Sequence, residues 1–154
     1  MGLDTTHGAW NGSYSSFHAW RQEIARVAGL PPLDLMDGFY QDKGAVSPFC
    51  LLDYQFPIGD ELEVHRMTKI RAQFPIKWEC LKPNPLFILL SHSDCDGYIN
   101  WGDCKKIADQ LTKLLEKLSN KEVGGHIGNY KEKTETFIKG LLLAYENKEK
   151  LLFD

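Results

Sequence analysis

DCKKIADQLTKLLEKL, residues 103–118, decides the fold class. Ile107, Leu111, Leu114, Leu115 and Leu118 recur at helical spacing, while Lys105, Lys106, Asp109, Lys113, Glu116 and Lys117 take the other faces. An apolar stripe of period near 3.6 under a charged surface is the pattern of an amphipathic helix lying on a core. Further on, Tyr130, Thr134, Phe137, Ile138, Leu141 and Tyr145 repeat it. The two segments are joined by residues 119–129, which include Gly124-Gly125-His126-Ile127-Gly128, a length that suits an antiparallel helix pair. Towards the start, Phe17, Trp20, Ile24, Val27 and Ala28 predict a helix over 14–28, stopped by Gly29 and by Pro31-Pro32.

The seven prolines all fall between positions 31 and 85. They predict an irregular middle section over about 30–83, in which 62–64 and 74–78 alternate weakly enough for a small sheet. The fold expected is mainly α, with α+β as the alternative, in a single domain over residues 1–154 whose last two helices pack against the first.

Composition bounds the function. A chain of 154 residues that is 43% hydrophobic and 25% charged is ordinary for one soluble core. At this length folding buries roughly 70% of the unfolded surface, so neither disulfides nor a metal are needed merely to fold. A net charge of −3 argues against a dedicated nucleic-acid binder, whose footprint is a basic face. The longest apolar runs are five residues, as at 86–90, against the ~20 that span a bilayer, and the start carries no secretory pattern. A cytoplasmic protein is expected, without membrane or nucleic-acid partners. Cys50, Cys80, Cys95 and Cys104 include no Cys-x-x-Cys pair and are expected to be reduced, mostly buried thiols.

One stretch carries a specific chemical signal: HSDCDGYINWGD, residues 92–103, which resembles the twelve-residue calcium loop of an EF-hand. With Gly97 at position 6, Asp94 and Asp96 fall at 3 and 5, Tyr98 offers its carbonyl at 7, and Ile99 is the apolar anchor at 8. Asn100 stands at 9 and Asp103 at 12. A hard cation needs six to eight oxygens from a short chain, so side chains alternate inward and a glycine makes the sharp turn. The resemblance implies a divalent-cation site for Ca or Mg, with Asp94, Asp96, Tyr98, Asn100 and Asp103 as ligands and His92 at position 1. It also implies apolar residues at positions 16, 17 and 20, here Ile107, Ala108 and Leu111.

Two departures bear on affinity. His92 replaces the usual aspartate, and Asp103 has a shorter arm than glutamate, which favours a smaller ion or a weaker site. Without a metal, the same residues read as a turn at Asp96-Gly97 and a helix cap from Asn100 with Asp103. Only Asp94, one of two acids flanking Cys95, then lacks a reason. Before the loop, Asn84 with Pro85 can start a helix over 86–90, though a buried strand fits that run equally.

Two further readings compete. His7, His92 and His126 could form a transition-metal hydrolytic site if the start of the chain and the 124–128 turn fold back onto the loop. No nucleophile elbow, phosphate loop or dinucleotide motif is present. Trp10, Tyr14, Phe17 and Trp20 read either as an interaction surface or as the docking face of the first helix.

At Gly2-Leu3-Asp4-Thr5-Thr6-His7, at Leu90-Ser91-His92-Ser93-Asp94-Cys95-Asp96-Gly97 and at Gly125-His126-Ile127-Gly128, the chain resembles a group of proteins of bacteria and their phages to which no activity is assigned. The resemblance implies an intracellular protein of bacterial or prophage origin. It transfers no catalytic residue. The readings are thus a cation-binding loop, a metal-free module for an unknown protein partner, or a small metal-dependent hydrolase.

Overall fold

The computed structural model describes residues 2–39, 75–123 and 127–154. The protein is mainly helical with two small sheets, and its residues gather into two compact units, 1–24 with 84–154, and 25–83. Within the described residues no helix is long and apolar enough to cross a membrane.

Among the described residues there are four α-helices: α1 (Tyr14–Val27), α2 (Leu86–Leu90), α3 (Trp101–Leu114) and α4 (Tyr130–Asn147). The 86–90 run is therefore helix and not strand. Asn84 Oδ1 accepts from the Leu86 N–H at 2.9 Å, satisfying a donor that a helix start would otherwise leave open. Of the stripe, Ile107, Leu111, Leu114 and Leu118 are buried and Leu115 is half-buried; Ala108 is buried beside them, and α3 lies against α4. Asn129 caps α4 by accepting from the Glu132 N–H at 2.8 Å, and Lys148 ends it in the left-handed conformation. Tyr145 departs from expectation: it lies on the exposed side of α4.

Helix α1 supplies the centre of the first unit. Phe17 and Trp20 are fully buried with Trp10, and their rings meet Phe137 of α4 at centroid distances of 6.4 and 4.7 Å. Trp20 Nε1 donates to Thr134 Oγ1 at 2.9 Å, so the largest apolar side chain also satisfies its one polar atom. The aromatic start of the chain is thus mostly core.

Four short strands close the unit. β1 (Gly2–Asp4) pairs antiparallel with β2 (Asn11–Ser13), and β3 (Tyr98–Ile99) pairs antiparallel with β4 (Leu151–Leu152). A bridge between Thr5 and Phe153, with reciprocal backbone hydrogen bonds between Asp4 and Asp154, joins the two pairs. Residues 151–154 therefore lie between the start of the chain on one side and residues 97–99 on the other.

In the second unit, Leu35, Met36 and Ile76 form a buried cluster flanked by Trp78 and Leu81. Met36 and Ile76 make a parallel bridge, which is the sheet-like feature among the described residues of the proline-rich section. The strand expected at 62–64 lies outside the described residues, and Trp78 falls in a 3₁₀ turn (Trp78–Cys80). Of the described cysteines only Cys104 is buried; Cys80 and Cys95 are exposed, against the expectation of mostly buried thiols. Burial pushes the Cys104 thiol up to about 11.

Candidate functional site

Residues 86–114 run as helix, loop and helix, from α2 through the loop to α3. Gly97 has φ +100°, a conformation open to glycine at little cost. A Cβ there would also stand 3.2 Å from His92 Cε1, so a side chain at this position would crowd the imidazole as well. Ile99, at position 8, is buried and lies in β3. EF-hand loops normally pair with one another at this point; here β4 takes that place. The outgoing helix begins at Trp101, inside the loop, and buries Ile107, Ala108 and Leu111.

The side chains are engaged differently from a ligand cage. His92 lies flat on Phe153, ring centroids 4.1 Å apart. Its Nδ1 stands 2.7 Å from Ser93 O and its Nε2 3.1 Å from Tyr98 O. The carbonyl expected to bind a cation at position 7 thus faces the imidazole of position 1. Asp96 is exposed, with only a long contact from the Cys95 thiol at 3.9 Å. Asn100 occupies the N-cap position of α3 but makes no side-chain cap bond, so the expected cap from its side chain is not formed. Asp103 lies 3.7 Å from Lys106 Nζ, one turn along the helix. Within the described residues, no three or more His, Cys, Asp and Glu side chains gather as a metal-ligating group.

Asp94 finds its counter-charge in Arg21, a residue that sequence reasoning did not single out. The Arg21 side chain is buried, its guanidinium 4.4 Å from the centre of the Phe17 ring. Its Nη1 donates to His92 O at 2.6 Å and also lies 3.4 and 3.5 Å from the carbonyls of Leu89 and Leu90. A buried cation therefore holds the end of α2 and the first residue of the loop. Burial lowers the Arg21 pKa to about 10 while the Asp94 carboxylate raises it, so the group is charged at neutral pH. The only sequence signal for this role was an arginine next to Trp20, on the inward side of α1.

His7 and His92, two of the three histidines of the hydrolase reading, have separate partners. His7 Nε2 is 2.6 Å from Glu149 Oε2, whereas His92 contacts Phe153 and Tyr98, and His126 lies outside the described residues. Beside the loop is a feature the sequence did not announce. Tyr98, Trp101, Tyr145 and Leu152 are between 36% and 49% exposed, Trp101 and Tyr145 are in ring contact at 5.9 Å, and Lys150 Nζ stands 3.9 Å from the centre of the Tyr98 ring. Tyr98 and Leu152 are register partners across β3 and β4 and share this side.

Comparison with protein-family models, with curated proteins and with solved structures finds no match for the chain.

Proposed function

We propose that the chain is a binding module in which residues 92–103 form a calcium-loop-like scaffold closed by the His92 ring and by the Arg21 guanidinium, presenting the exposed side chains of Tyr98, Trp101, Tyr145 and Leu152 to a protein partner. The observation that carries this reading is the position of His92. Two carbonyl oxygens converge on its two ring nitrogens, so the imidazole occupies the place where an ion would otherwise collect oxygens. Arg21 supplies positive charge to Asp94 from below.

The backbone of the loop favours a second reading, in which a Ca or Mg ion enters and displaces His92 from Tyr98 O, with Asp94, Asp96, Asn100 and Asp103 turning inward. Thermal melts separate the two. The closed scaffold predicts a melting temperature unchanged by millimolar calcium, magnesium or EDTA, and a calcium-dependent rise in His92→Asp, which frees the Tyr98 carbonyl and restores an acid at position 1. A rise in the unaltered protein, reversed by EDTA and lost in Asp94→Ala, replaces the first reading by the second.

A further inference from the structure

The turn Thr6–Gly8 sets a hydroxyl, an imidazole and a carboxylate in sequence, with none of the candidate loop ligands among the three. His7 Nδ1 is 2.9 Å from Thr6 Oγ1, and His7 Nε2 is 2.6 Å from Glu149 Oε2. Carboxylate oxygens only accept, so in the neutral imidazole the hydrogen sits on Nε2 and Nδ1 offers its lone pair. The Leu152 N–H donates to Thr6 Oγ1 at 2.9 Å, which leaves the hydroxyl's own hydrogen directed at Nδ1. Nucleophile, base and orienting acid thus stand in hydrogen-bond order, the signature of an activated hydroxyl.

Two observations separate this arrangement from a simple tie between the turn and Glu149. His7 has φ +61°, a left-handed conformation that is unfavourable for a residue with a Cβ, and such strain collects at functional positions. The His7 side chain is only 9% exposed, whereas Thr6 is exposed, so the base is shielded while the hydroxyl is open to solvent.

We infer that Thr6 accepts acyl groups from small activated esters, with His7 as its base and Glu149 holding His7 in the required tautomer. Thr6 Oγ forms a bond to the ester carbonyl carbon as its proton passes to His7 Nδ1. The bond from that carbon to the leaving oxygen then breaks, and the leaving group takes the proton from the imidazolium. Water, deprotonated by the same nitrogen, releases the acid and restores the hydroxyl.

The probe is p-nitrophenyl acetate, applied to the full chain after its accessible thiols have been blocked with iodoacetamide. Phenolate release is followed optically and the acetyl group is located by fragmentation mass spectrometry. The expected result is acetyl on Thr6, none at position 6 in Thr6→Val, and slower acylation in Glu149→Gln. His7→Gly keeps the turn, because glycine takes φ +61° freely, yet should acylate at least about 100-fold more slowly, within the range a general base contributes. Imidazole added to that variant restores part of the rate. Acetyl confined to lysines and the terminal amine, or a His7→Gly rate equal to that of the unaltered protein, overturns the proposal.

Discussion

Arg21 shows how one side chain can answer a question raised elsewhere in the chain. Asp94 made little sense as part of a turn, because two carboxylates flanking Cys95 repel each other without a cation nearby. The cation is present and belongs to α1, where Arg21 reaches the His92 carbonyl from within the core. Removing the guanidinium leaves the carbonyls of Leu89, Leu90 and His92 without this donor. Arg21→Met should therefore cost about 1–3 kcal/mol in a urea titration, although it adds apolar surface at a buried site. Arg21→Lys should recover only part of the loss, since an ammonium keeps the charge but not the guanidinium shape that places Nη1 against the three carbonyls. A cost for the methionine variant of under about 1 kcal/mol, the range of an exposed ion pair, would mean that the guanidinium contributes packing alone.

At the scale of elements, the helices were legible and the strands were not. Helices α1, α3 and α4 announce themselves because a repeated apolar stripe averages over many residues, and each lies within two residues of its expected start. α2 is only five residues long, too short for periodicity to separate it from a strand; the Asn84 cap decides it. β1 to β4 are two or three residues each, and β3 pairs with a segment some fifty positions away, so no local pattern could reveal them. Candidate ligands at 92–103 were legible as residue types in a loop, and the glycine turn, buried position 8 and outgoing helix followed. The orientation of His92 was not legible, because it depends on Phe153. The two helix starts give a direct comparison. Asn129 accepts a hydrogen bond from the Glu132 N–H and Asn100 caps nothing, so Asn129→Ala should lower stability by about 1 kcal/mol and Asn100→Ala by a few tenths at most. Equal losses in urea midpoints would show that the α3 start uses its asparagine after all.

Across the first unit, the segment 151–154 ties together parts that the sequence keeps far apart. Leu151 and Phe153 are buried, Phe153 N–H donates to Gly97 O at 2.9 Å, and Asp154 exchanges two backbone hydrogen bonds with Asp4. Phe153 also meets the Phe17 ring, with centroids 5.9 Å apart, while carrying the His92 ring on its own face. The core, the start of the chain and the candidate loop therefore share one side chain. Phe153→Ala should cost about 3–5 kcal/mol, the range for emptying a buried aromatic site. The distribution of that cost is the more informative readout. Hydrogen exchange should rise together at the Asp4, Leu152, Phe153 and Asp154 amides, because their acceptors lie on the segments that Phe153 holds in place. Amides in the middle of α3, around Ile107 and Leu111, should stay protected until the unit unfolds as a whole, since their bonds are made within the helix and against α4. If exchange rises at 151–154 while Asp4 keeps its protection, the start of the chain is held by β2 alone. The loop would then respond to the closing segment independently of residues 4–7.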